Sequence, residues 1–279
     1  VRVLLAGLCT VDVVQRVDEL PAPGEKVQSL RVDVAAGGPA TNAAVTAAAL
    51  GAEATLLTVL GAHPLAALAR ADLEACGVRV VDLDPTRSDP PPVSAVAVRE
   101  RDGERTVVSR NAAGSEVTWS GTLDADVVLV DGHHPNLALA VAKAANADGV
   151  PVVLDAGSWK PVLDELLPLV GIAACSAHFR APEPGLHQRG VPTVITTAGP
   201  RPVRWSTADG GSGEVPVASV EARDTLGAGD VWHGALAVAV TREPTVTDRI
   251  RFANEVAAER VRQVGPRSWT TAIAGRNRT

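Results

Sequence analysis

The sequence predicts an α/β fold, a doubly wound and mostly parallel sheet with a small β-sheet lid. Along most of its 279 residues, short apolar runs bounded by turn residues alternate with helical patterns, the signature of βαβ units and a parallel sheet. Two stretches, residues 12–34 and 92–110, break that rhythm with a strand, a polar turn and a strand of period-two alternation. The length suits a single domain over residues 1–279, with those two stretches as its lid.

Taken in order, VLLAGL from Val3 is a buried first strand, and TNAAVTAAAL from Thr41 a helix. ATLLTVL from Ala54 is the next strand, PLAALARADLEAC from Pro64 a helix, and VRVVDL from Val78 a strand. After the second lid excursion the alternation resumes with DVVLVDG (residues 126–132) and a helix over 136–147. VPVVLDAG (150–157), a helix near 161–167, a strand near Ile172 and PTVITTAG (192–199) follow. The sheet is expected to be buried on both faces. Placed over the carboxyl ends of the parallel strands, the hairpins would cover a ligand site; pattern alone also allows a pair of surface hairpins.

Composition narrows the partners to small molecules. The formal charge is −6 and basic residues are scattered singly, which excludes a nucleic-acid surface. The longest apolar region, residues 43–60, is broken by Gly51 and Glu53 and reads as helix then strand, not as a membrane span. Cys9, Cys76 and Cys175 are far apart without metal-ligand spacing, so a cytoplasmic setting is expected. The opening residues lack the length and cleavage site of a secretory signal.

Chemistry concentrates in RDTLGAGDVWHGAL, residues 223–236, which sets Asp224 and Asp230 around a Leu-Gly-Ala-Gly turn before an apolar helix. Free N–H groups and the positive dipole end of such a helix bind an anion, with phosphate the natural choice. A carboxylate beside a phosphate suits a base that accepts a proton from an attacking hydroxyl. Read alone, either aspartate could equally be a helix cap.

Four segments together resemble the ribokinase-like (PfkB) family of carbohydrate kinases over nearly the whole chain. Gly7-Leu8-Cys9-Thr10-Val11-Asp12 is similar to the family's strand, glycine and aspartate, which implies that Asp12 binds sugar hydroxyls. Gly37-Gly38-Pro39-Ala40-Thr41-Asn42 matches the glycine pair and asparagine that receive the sugar, assigning Gly38 and Asn42 to that site. Thr197-Ala198-Gly199 resembles the nucleotide loop, with Pro202 where a second glycine is frequent. The Asp-Thr-x-Gly-Ala-Gly-Asp motif is complete and the most specific match. The resemblance makes Asp230 the catalytic base, with backbone N–H groups of Gly227, Ala228 and Gly229 stabilising the transferring phosphoryl group. It places Thr225 beside the nucleotide and Asn254 at the adenine, although a helical asparagine is also often merely solvated.

The resemblance also implies ATP and Mg2+ as cofactors, a sugar acceptor, and a homodimer formed through the lid. Its Asn-x-x-Glu element, associated with magnesium, is Cys175-Ser176-Ala177-His178 here, so the metal ligands stay unassigned. His63 reads as a helix-start residue. His133 and His134 fall at a ligand-facing strand end, as sugar contacts or as surface loop residues. Lys160 reads either as reaching the ATP phosphates or as a solvated surface lysine. ELPAPGEKV, DGERTVV and DTLGAGDVWHGALAVAV look closest to the ketohexokinase and sulfofructose-kinase branch, where the lid carries an arginine at the place of Arg105. With Arg110 and Asn111, Arg105 would set donors over a ketohexose-type sugar. The alternatives are a nucleoside kinase, disfavoured by 3% aromatic content, and a non-catalytic sugar- or nucleotide-binding member of the family. A dinucleotide oxidoreductase is disfavoured because no Gly-x-Gly-x-x-Gly follows the first strand.

Overall fold

A computed structural model of the protein describes residues 1–110, 112 and 116–274. The first half runs β1 (Arg2–Ala6), β2 (Thr10–Val17), β3 (Arg31–Gly37), α1 (Pro39–Ala49), β4 (Glu53–Thr58), α2 (Pro64–Ala75) and β5 (Arg79–Asp82). β6 (Val93–Arg99) and β7 (Arg105–Ser109) come next, then β8 (Val127–Val130), α3 (Pro135–Ala147), β9 (Val152–Ala156) and α4 (Leu163–Leu166). The chain ends with β10 (Ile172–Ser176), β11 (Thr193–Ala198), β12 (Arg201–Thr207), β13 (Ser212–Val215), α5 (Ala228–Val240), α6 (Val246–Arg262) and α7 (Thr270–Ile273). Helices α1, α2 and α3 each begin with proline, whose fixed φ and missing N–H suit the first helical position. His63 starts α2 as the sequence indicates, its Nδ1 accepting from the Leu65 N–H at 3.2 Å.

The main sheet has nine strands in the order β13-β12-β11-β10-β9-β8-β1-β4-β5. The seven from β11 to β5 are parallel. One face, with Val3, Leu5, Leu56, Leu129 and Val153, packs against α1, α2, α5 and α6. The other, with Leu4, Val128, Val130 and Leu154, meets α3 and α4. Each such fully buried side chain contributes about 1.5–3 kcal/mol. Residues 201–215, for which the sequence gives no strand, form β12 and β13, an antiparallel hairpin on the sheet edge. Only one face of β12 is covered there, so the sheet is doubly buried at its centre and not at this edge.

Both lid excursions pair internally as antiparallel hairpins, and β2 joins β6 in parallel, giving the order β3-β2-β6-β7. β1 lies between β4 and β8, so successive connections leave it in opposite directions and open a crevice beyond the strand ends. Asp131, just after β8, closes the base of that crevice by accepting from the backbone N–H groups of Leu8 (2.9 Å), Ala40 (3.3 Å) and His133 (2.9 Å). A Cβ on Gly7 would stand 2.3 Å from the Asp131 carboxyl, so only glycine leaves room for this tie.

Helices α1 and α5 cross at very short range because six of the eleven residues of α1 are alanine and α5 presents Gly234 to it. A Cβ on Gly234 would be 2.5 Å from the Ala43 carbonyl oxygen. This crossing sets Asn42, in the first turn of α1, beside Asp230, in the first turn of α5. Gly234→Val should therefore destabilise the protein by about 1–3 kcal/mol through overpacking. Chemical denaturation checks this, and an unchanged midpoint would contradict the tight crossing.

Candidate active site

The residues before α5 form a turn shaped by Asp224. One of its carboxylate oxygens accepts from the Leu226 N–H (3.0 Å) and the other from the Gly265 N–H (3.0 Å), so Asp224 folds the turn instead of capping α5. Gly227 follows with φ 71°, a left-handed conformation that glycine adopts without strain. The Ala228 N–H is directed at the Thr225 carbonyl (3.2 Å), which takes it out of the expected set of anion donors. Gly227 and Gly229 bring two further backbone N–H groups to the positive end of a 13-residue helix.

Asp230 stands where this turn meets the lid cleft. The Asn42 amide donates to its Oδ2 at 2.8 Å. Arg267 fixes the sense of that amide by donating to Asn42 Oδ1 (3.3 Å) while it pairs with Asp72 (2.7 Å). Burial, then the nearby Asp155 carboxylate, push the Asp230 pKa up to about 7, against the opposing pull of Asn42 and His233. Asp155 is itself raised by burial. His233 stands between the two acids: its Nδ1 is 2.7 Å from the Gly229 carbonyl oxygen and 3.4 Å from Asp155, and its Nε2 is 3.1 Å from the Ala174 carbonyl oxygen.

The adjoining cleft is lined by Asp12, Gly38, Asn42 and Asp230, with Val14 on the lid side and Trp269 on the floor. Asp12 accepts from Thr10 Oγ1 at 2.6 Å, and burial raises its pKa. Its carboxylate occupies the space where a Gly37 side chain would be, a Cβ there falling 1.9 Å from Oδ2. The structure thus brings Asp12, Gly38, Asn42, Gly227 and Asp230 together. Arg267, Trp269 and Arg260, which also line or frame the site, come from the C-terminal segment and belong to no motif in the sequence.

Three consecutive residues of the turn touch the lid. Asp224 faces Arg16 of β2 at 3.4 Å, Thr225 Oγ1 accepts from Arg105 of β7 at 3.1 Å, and Leu226 packs on Val14, Val96 and Val98. Arg105 is thus engaged with Thr225. Thr197 is the last but one residue of β11, its hydroxyl donating to the Cys175 carbonyl (3.4 Å), and Gly199 turns the chain into β12 with φ 61°. Asn254 is buried, not solvated: its oxygen accepts from Trp232 Nε1 (2.8 Å) and its amide donates to the Pro216 carbonyl (3.2 Å). His134 is buried and His133 half-buried, so neither is the surface residue that the sequence allows, because Asp131 draws their loop inward. Lys160 is half-buried over the same strand ends, within electrostatic reach of Asp155 and His133. At the end of β10, Ser176 donates to the Gly157 carbonyl at 3.1 Å and no acid replaces the family's glutamate. Asn111 lies outside the described residues.

Comparison with known proteins bears on this arrangement. The model of the pfkB family carbohydrate kinases matches residues 2–178 and 181–272. The ribokinase of Bacillus subtilis is 27% identical over 92% of this chain and 92% of its own length. The ATP-dependent ribose-1-phosphate kinase of Halopiger xanaduensis is 30% identical over 98% of this chain and 96% of its own. Among solved structures, a ribokinase-like protein from Agrobacterium tumefaciens described as a putative ribokinase superposes with a TM-score of 0.86 at 27% identity, covering 99% of this chain and 97% of that one. These relatives support the ribokinase-like family and not specifically its ketohexokinase or sulfofructose-kinase branch. No helix among the described residues is long and apolar enough to cross a membrane. The complete motif around Asp230, the lid over its cleft and the match along both halves of the sequence agree: the chain belongs to the pfkB family of carbohydrate kinases and is an ATP-dependent carbohydrate kinase.

Proposed function

We propose that this kinase transfers the γ-phosphoryl group of ATP to the hydroxymethyl group of a furanose sugar, with ribose as first acceptor. The observation that carries this reading is Asp230 at the junction of a hydroxyl-binding cleft and a helix N-terminus, oriented by Asn42. The sugar hydroxyls meet Asp12 and Asn42 beneath the lid. Asp230 takes the proton of the attacking hydroxyl as the new O–P bond forms and the bond to ADP breaks. The Gly227 and Gly229 N–H groups and the α5 dipole stabilise the charge on the phosphoryl oxygens. Thr197, Gly199 and Thr225 border the path of the nucleotide.

Among the described residues no group of three or more metal-ligating side chains exists. Such a donor-poor site fits Mg2+ held by ATP phosphates and water, where it would neutralise phosphate charge. Ribose is supported by the ribokinase and ribose-1-phosphate kinase relatives. A ketohexose in its furanose form is the second reading, supported by a lid guanidinium, that of Arg105, bonded to Thr225 of the phosphate turn. Turnover of ATP with ribose, deoxyribose, ribose 1-phosphate, fructose and adenosine decides between them, and preference for adenosine over every sugar would overturn both.

The lid also presents an apolar outer face. Val34, Val13, Ala95 and Val108 stand side by side across its four strands, with Val34 49% and Val108 71% exposed. We infer that a second copy of the chain covers this face isologously, since a self-complementary apolar strip suits a two-fold contact.

Four outcomes are expected. Asp230→Asn should keep the fold and lower kcat by roughly 10² to 10⁴, and near-normal turnover by folded protein would refute the base assignment. Because the base works deprotonated and its pKa is about 7, kcat/KM should fall about tenfold per pH unit below that value and level off above it. Asp155→Asn removes the neighbouring negative charge and should move this fall to lower pH; an unmoved profile would count against the coupling. Val108→Asp should convert a dimer to a monomer in sedimentation analysis, and a monomeric parent protein would dispose of the lid interface.

A further inference from the structure

Arg260, near the end of α6, is 2% exposed, a rare state for a guanidinium. Its Nη1 donates to the carbonyls of Asp224 (3.3 Å) and Gln263 (2.9 Å), and its Nη2 to the carbonyl of Leu226 (2.6 Å). The Asp224 carboxylate stands 3.4 Å away. Three backbone carbonyls from two separate turns, with one carboxylate, therefore surround one cation. Asp224 is shared with Arg16, which pairs in turn with Glu100, and Arg267 and Arg31 are further cations nearby. A buried charge of this kind is seldom worth more to stability than a well-packed apolar side chain, so its value is to be sought in what it holds.

What it holds is the peptide bond leading into the phosphate turn. The Leu226 carbonyl and the Gly227 N–H belong to one planar trans unit and point in opposite directions. A guanidinium that grips the carbonyl from below turns the N–H away from itself, and it polarises the unit so that the N–H is a stronger donor. Asp224 holds the other side of Leu226 through its N–H. We propose that Arg260 is a positioning residue for phosphoryl transfer, its guanidinium clamping the Leu226–Gly227 peptide so that the Gly227 N–H is aimed at the transferring group. This rests on the reading of Gly227 as a phosphate donor.

The test uses the full chain carrying Arg260→Lys or Arg260→Ala, with kcat, KM values and thermal midpoint measured in parallel. Arg260→Lys keeps the charge but not the planar fork that spans both turns. It should lower kcat on the order of 10-fold or more while changing the thermal midpoint and the acceptor KM little. In Arg260→Ala, millimolar methylguanidinium should restore part of kcat, and it should do nothing for Asp230→Asn. Wild-type kcat in Arg260→Lys, a kcat loss that only follows loss of folded protein, or a soluble Arg260→Ala indifferent to methylguanidinium would each overturn the proposal. A parent protein that phosphorylates no sugar would instead overturn the kinase reading beneath it.

Discussion

Everything in the site depends on how closely two helices can approach. The alanines of α1 and Gly234 of α5 remove the side chains that would hold these helices apart, and the gap that remains is too small for a single methyl group. The first turns of both helices then open on the same point, one offering Asn42 and the other Asp230. Wider spacing would leave the amide and the carboxylate beyond hydrogen-bonding distance. The geometry proposed for catalysis is thus a packing result, set by small residues in the core and only expressed by the polar residues at its edge.

Electrostatics adds a second constraint. The negative charges of Asp155 and Asp12 both act on Asp230, and burial raises the carboxyl pKa of all three. Hydrogen-bond donors and His233 offset that repulsion without removing it. A base with a pKa near neutrality suits an attacking hydroxyl better than an ordinary carboxylate does. The turn behind it follows a different logic: Asp224 is fully engaged by two backbone N–H groups and two arginines, and Arg260 by three carbonyls.

Much of this was legible in the sequence because it is local. The βαβ alternation, the two hairpins, the helix start at Pro64 and the turn around Gly227 all rest on neighbours in the chain. The β12–β13 hairpin escaped because an edge hairpin with one wet face alternates weakly, although Asp209-Gly210-Gly211 was an available turn signal. Arg260, Arg267 and Trp269 escaped for another reason. Their roles depend on partners far away in sequence, such as Asp72 and Asn42 for Arg267, and no spacing rule links them. The sequence does not decide whether His133 and His134 face inward or outward, because the inward pull of Asp131 is invisible until β1, β8 and α1 are brought together.

The contacts of Asp224, Thr225 and Leu226 with three different strands of the lid carry a mechanical consequence. These residues run without interruption into Gly227, so no slack separates the cover of the sugar cleft from the phosphate turn. A displacement of the lid strains the turn, and an ordered turn draws the lid down. Lid and turn are therefore joined mechanically through three adjoining residues, with no flexible link between them.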